Sequence, residues 1–172
     1  TIGNRKARGI CGSGLVDSIA EMLRIGLVDM MGKIISKDEA DDKFPKSITE
    51  RLCDYDGKPA FLIARESTGA MEDIFVCQKD IREVQLAKGA IAAGVEILIK
   101  EADISMDDID TVYLAGGFGN YINHDFACDI NLIPRPLRDK IVPVGNAAGD
   151  GAKMALANKH SFKDAEDIRA NT

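Results

Sequence analysis

Three glycine-rich joints are the places where the residue types and spacing of this chain could do chemistry. They are Gly9-Ile10-Cys11-Gly12-Ser13-Gly14, Gly116-Gly117-Phe118-Gly119 and Gly145-Asn146-Ala147-Ala148-Gly149-Asp150-Gly151. Glycine permits positive φ and lets a ligand approach the main chain, while a helix that starts there offers free N–H groups to an anion. One such joint is weak evidence, because tight α/β packing also wants glycine. Three in 172 residues could converge on one crevice at strand C-termini, where open α/β sheets bind ligands.

The common phosphate signatures are absent. No Gly-x-x-x-x-Gly-Lys-Ser/Thr loop and no Gly-x-Gly-x-x-Gly fingerprint occurs. No Ser/His/Asp or Cys/His arrangement has a spacing that supports nucleophilic catalysis, and no two carboxylates form a convincing acid–base pair. One lysine is out of place. The apolar stripe Ile81, Val84, Ile91, Val95, Leu98 should be completed at position 88, which holds Lys88, with Gln85 on the neighbouring edge. Lys88 is either a snorkelling side chain at the core margin or an ammonium facing a phosphate or ribose in a ligand crevice. Asp150 is either a helix N-cap, the favoured reading, or a ligand contact, and Asp17 reads as an acid in a first helical turn, where the macrodipole favours it.

Helices and strands must position these groups. Apolar residues at 15, 16, 19, 20, 23 and 27 have a helical period, with Ser13 as N-cap and Gly26 as C-cap. Residues 36–60 are polar, with Pro45, Asp56-Gly57 and Pro59, and predict irregular surface with a turn at 56–57. Two short strands follow around 59–66 and 73–77, a candidate hairpin with Gly69 in the connection. Asp80-Ile81-Arg82-Glu83 fits a capping box with Asp as the cap, opening the longest helix, to about Ala102. Ser105 to Asp108 caps a further turn, Thr111 to Ala115 predict a buried strand, and short helices follow near 123–130 and 136–140. A strand at 141–144, a glycine-studded helix and a charged helical tail from His160 complete the chain. The alternation points to an α/β fold with parallel or mixed pairing.

Composition is that of a globular protein, 45% apolar and 29% charged. A net charge of −6 and a pI near 5.0, with no Lys/Arg stripe, argue against nucleic acid or an anionic membrane as partner. No apolar run approaches the ~20 residues of a membrane span and no signal peptide opens the chain, so a cytoplasmic protein is expected. Cys11, Cys53, Cys77 and Cys128 show no Cys-x-x-Cys pair, and His124 and His160 stand at no metal-ligand spacing. Four reduced thiols and no metal site are expected. The chain opens at Thr1 and meets a glycine-rich joint almost at once, which suggests the interior of a longer protein.

Together, RGICGSGLVDSIAEML, DIREVQLAKGAIAAGVEIL, DTVYLAGGFGNYI, NLIP and IVPVGNAAGDGAKMAL closely resemble the C-terminal ATP-binding domain of the reductive activators of corrinoid proteins. That domain belongs to the superfamily of sugar and acetate kinases, heat-shock chaperones and actin. The resemblance runs over roughly residues 1–157; residues 33–73 add little to it and read as an insertion. It implies part of an actin-like, ribonuclease H-like fold, a mixed sheet flanked by helices. It also implies ATP-driven reduction of an inactive Co(II) corrinoid centre to Co(I) in a partner protein of a methyltransferase system, with the electron from a 2Fe-2S cluster in a domain outside this chain. Gly116, Gly117, Phe118 and Gly119 match the adenosine motif, the helix with Gln85 and Lys88 borders the adenine pocket, and Gly12 and Ser13 lie on another loop facing the cleft. The Asp-x-Gly-Thr phosphate turns of the superfamily are missing, so the triphosphate and Mg2+ would be held mainly by residues outside this chain, which alone should hydrolyse ATP poorly. Asn131 stands where the family pattern leads one to expect glycine, and asparagine tolerates positive φ. Alternatives from the same residues are an activator of the 2-hydroxyacyl-CoA dehydratase type, a metabolite kinase, and a protein-interaction module whose glycines only pack the sheet. Pairing of two copies through an exposed strand edge would give a homodimer.

Overall fold

The computed structural model describes residues 2–171. Helix α1, Gly12–Ile25, lies at the centre because its apolar residues point in two directions. Ile19 and Met22 pack with Leu27, Ile34, Phe61 and Ile81, whereas Val16 and Ala20 pack with Ile122, Ala127 and Ile130. Val84 touches both clusters. The helix ends as its glycine predicts: Gly26 takes φ 83° and its N–H donates to the Leu23 carbonyl. Its start differs from expectation. Cys11 is the cap, its Sγ accepting from the Gly14 N–H at 3.4 Å, and Ser13 is already inside the first turn.

The segment 36–60 is more regular than its polarity suggests. Ser36 and Glu39 form a reciprocal capping box that opens α2, Lys37–Asp41, and Pro45 precedes α3, Lys46–Thr49. Strand β1, Leu52–Tyr55, then pairs antiparallel with β2, Lys58–Ala64, through Asp56 and Gly57 at φ 54° and 72°. Two successive positive φ values are what a tight two-residue hairpin requires. β2 pairs in turn with β3, Ile74–Cys77, antiparallel as expected. Ile34, Ala40, Leu52 and Phe61 from this part of the chain sit in the core.

Helix α4, Gln78–Glu101, begins before Asp80. Asp80 accepts the Cys77 N–H at 2.8 Å from the third helical position, so it closes the box instead of capping it. Ile81 is buried, but the stripe loses its cover further on, and Leu98 is 70% exposed.

β4, Val112–Ala115, runs into α5, Gly116–Tyr121, and α6, His124–Asp129; β5, Ile141–Gly145, leads to α7, Ala147–Ala157, and α8, Lys159–Ala170. β4 and β5 pair in parallel. Parallel and antiparallel pairings thus occupy two separate sheets, β1-β2-β3 and β4-β5. β4 is not the buried strand expected, since Tyr113 is 69% exposed. Among the described residues no helix is long and apolar enough to cross a membrane.

Candidate functional site

The parallel pairing of β4 and β5 places Ala115 opposite Gly145, so two of the three glycine joints emerge side by side at strand C-termini. Both turn through positive φ, 91° at Gly116 and 65° at Gly145, which a side chain would resist. The third joint meets them through Phe118. Its ring lies over Gly12, where an added Cβ would stand 3.3 Å from Cε2. The three joints therefore adjoin one another.

The glycines in them are not equivalent. A Cβ at Gly116 or Gly117 would meet nothing within 4 Å, so space opens in front of that main chain. Gly119 is buried, and a Cβ there would come within 2.7 Å of Leu114 Cγ; it lets α5 lie on β4. Gly149 leaves room for Asn146, whose Oδ1 accepts the Gly149 N–H at 3.1 Å. Asn146 is thus the cap of α7, and Asp150 instead pairs with Lys153 at 3.0 Å on the surface. Asparagine does what the sequence suggested for aspartate because the helix begins four residues earlier.

Cys11 and Ser13 share the entrance to α1. Their Sγ and Oγ are 3.3 Å apart, and this hydrogen bond, with that from the Gly14 N–H, holds the Cys11 thiol below its ordinary pKa. Burial pushes Cys53 and Cys128 the other way. All four thiols are free. Asp17 is the sixth residue of α1, beyond the first turn expected for it, and is half-buried.

Gln85 and Lys88 lie apart from the glycine joints, on α4. Lys88 Nζ donates to the Ile130 carbonyl at 2.8 Å, satisfying the end of α6, where Asn131 adopts φ 60°. Gln85 Nε2 donates to the Met31 carbonyl at 3.1 Å and packs on Gly32. Ala20, Leu23, Met30, Lys88, Ile130 and Asn131 border one crevice. Ala20 is eight residues past Gly12, about 12 Å along the helix axis. The glycine joints and the Lys88 crevice thus flank opposite parts of α1. Sequence reasoning did not reveal the carbonyls of Ile130 and Met31 as partners, since main-chain acceptors carry no residue signature.

Residues 1–172 match the family described as the C-terminal domain of RACo, the ASKHA domain. The chain belongs to that family. It is 35% identical over 158 residues to the corrinoid activation enzyme RamQ of Eubacterium limosum, covering 92% of this chain and 26% of that protein. It is 27% identical over 163 residues to the Co(II) methylated amine-specific corrinoid protein reductase of Methanosarcina barkeri, covering 95% and 25% respectively. The solved structure of a reductive activator for corrinoid, iron–sulfur protein superposes with a TM-score of 0.79 at 33% identity, over 92% of this chain and 24% of that one. This ASKHA-type domain therefore spans about a quarter of the length of these relatives. Its α/β architecture is the actin-like one that the five sequence segments implied.

Proposed function

We propose that this ASKHA-type domain is the nucleotide-binding part of an activator that uses ATP to drive reduction of a Co(II) corrinoid protein to Co(I). The observation that carries the reading is the open space before Gly116 and Gly117, beside the Phe118–Gly12 contact. The bare main chain there suits the flat faces of a nucleoside, and Gly12, Ser13, Gly116, Gly117 and Phe118 are the contacts assigned to it. Gly119 serves the same joint by packing. Gln85 and Lys88 border the far side, across α1.

ATP supplies the driving force when bound; Mg2+ and the triphosphate are assigned mainly to residues outside this chain. Among the described residues no group of three His, Cys, Asp or Glu side chains could hold a metal ion, so the 2Fe-2S cluster that delivers the electron is assigned to another domain. Within the whole protein, nucleotide state would bias one interdomain arrangement over another and so control engagement of the corrinoid partner. The domain contributes a pocket and a moving lobe, with no catalytic acid or base of its own.

Isothermal titration of the full-length protein with ATP tests this. A Cβ at position 117 meets nothing within 4 Å, so Gly117→Val obstructs a ligand without disturbing the packing. The expected result is ATP binding by wild type and its loss in the variant at unchanged melting temperature. Equal affinity of both proteins counts against the site, and no binding by wild type leaves a protein-interaction module.

A further inference from the structure

The turn between Val28 and Ile34 is fixed from both sides. Val28 and Ile34 face each other across an isolated antiparallel bridge, and both are buried. Asp29 Oδ1 accepts the main-chain N–H groups of Met31 and Lys33 at 2.9 and 2.8 Å. From α4, Gln78 accepts the Ile34 N–H and donates to the Gly32 carbonyl, while Gln85 donates to the Met31 carbonyl. Gly32 closes the turn at φ 82° with the Gln85 amide lying against it. This fixed main chain presents Met30 and Met31 to solvent, 86% and 81% exposed. One exposed apolar residue is ordinary. Two adjacent methionines on an ordered turn are an adaptable apolar contact made ready, since little main-chain ordering remains when a partner arrives.

Met31 stands at the edge of a hollow of about 560 Å3 whose charged residues are all cations: Lys33, Lys58, Lys79 and Arg82. All four are exposed. Lys33 reaches Glu39 at 3.8 Å, an exposed pair of little strength. The side chains of Lys58, Lys79 and Arg82 make no hydrogen bond or ion pair among the described residues. The chain as a whole carries a net charge of −6, so this gathering of positive charge is not typical of its surface. It also runs against local electrostatics. Lys79 is the second residue of α4, where the macrodipole disfavours a cation, and like charges in one hollow repel one another. An acidic group from outside relieves both. A small anion would use the cations and leave the methionines idle. The acidic face of a protein uses both, as an apolar contact beside a charged rim.

We infer that the 29–33 turn, with Lys33, Lys58, Lys79 and Arg82 beside it, is the surface on which the corrinoid partner docks through an acidic face. The identity of the partner rests on the activator reading above. The place suits that role, because Met30 borders the Lys88 crevice while Met31 borders the basic hollow. Gln85 ties the turn to α4, so the docking face adjoins the proposed nucleotide site.

The test uses the full-length protein and the Co(II) corrinoid protein that it reduces, with binding followed by surface plasmon resonance at low and at physiological ionic strength. Lys58→Glu/Lys79→Glu is expected to associate about ten- to a hundredfold more slowly at low salt and to lose most of the salt dependence of wild type. Met31→Ala is expected to dissociate about fivefold faster. Both variants should bind ATP as wild type does and, at saturating partner, reduce it at the wild-type rate, which separates docking from chemistry. Their melting temperature should not fall, since an acid at position 79 suits the start of α4. A fall assigns the face to packing against another part of the same polypeptide and overturns the inference. Wild-type association of the double variant, or wild-type dissociation of Met31→Ala, also overturns it. So does competition by inorganic phosphate beyond that of chloride at equal ionic strength, which makes the hollow a small-anion site. If wild type reduces no Co(II) corrinoid protein, the activator reading itself falls, and the inference with it.

Discussion

Gly119 lies so close to Leu114 that a Cβ built on it would stand 2.7 Å from Leu114 Cγ and 3.3 Å from the Leu114 carbonyl carbon. Two positions earlier in the same helix, Gly117 faces open space. The Gly116–Gly119 joint therefore contains one glycine demanded by packing and one that packing does not demand.

Alanine separates them. Gly119→Ala should destabilise the protein by about 1–2 kcal/mol, overpacking outweighing the gain in helix propensity. Gly117→Ala should be neutral or stabilising by up to about 1 kcal/mol. Urea denaturation of both variants checks the pair; equal effects would mean that the contact with Leu114 does not decide the residue at 119.

Lys88 ties α4 to the end of α6 through the Ile130 carbonyl. Lys88→Met keeps the aliphatic stem and removes the donor, so it should cost about 1–2 kcal/mol, the scale of a hydrogen bond from a charged group that is partly exposed. Faster amide exchange in α6, with α7 unaffected, is the accompanying signature. A Lys88→Met variant as stable as wild type would show that solvent replaces the bond without loss.

The cysteines should separate in a pH profile. Cys11 is exposed and its thiolate is favoured by Ser13 first and the Gly14 N–H second. A depressed thiol pKa contributes stability above the unfolded-state pKa, and this is lost as pH falls through the folded value. Alkylation by iodoacetamide, followed for each cysteine by mass spectrometry, should therefore rise at lower pH for Cys11 than for Cys53 or Cys128, whose thiols are raised by burial. For those two the sign reverses: their contribution is present at lower pH and lost as pH rises through the folded value. Ser13→Ala should move the Cys11 midpoint upward. An unchanged midpoint would remove Ser13 as the cause.

Much of the local structure was legible because it depends on local rules. The span of α4, the left-handed Gly26, the 56–57 turn and the alternation of strand and helix follow from periodicity and turn chemistry, while the positive φ at Asn131 was flagged by the family resemblance. Caps were read less well. Ser13 and Asp150 are better capping residues by type than Cys11, but the register of a helix start is settled by what packs on it. Gly12 must lie under Phe118, so α1 begins there and the cap falls to Cys11. Likewise Asn146 caps α7 because β5 ends at Gly145. The polar stretch 36–60 hid two short helices and a strand whose apolar residues are few but buried.

The sequence by itself determined the family, the α/β alternation and the glycine joints as the place to look, because these are matters of residue type and short spacing. Only the tertiary structure decided which glycines pack and which face open space, and that Tyr113 and Leu98, apolar in pattern, lie exposed. It also decided that Lys88 reaches a carbonyl 42 residues away and that Asp17 holds an unpaired oxygen. The reason is physical. Periodicity tells which side chains share a face, while burial and hydrogen bonding depend on which distant segment covers that face, and no local pattern records this.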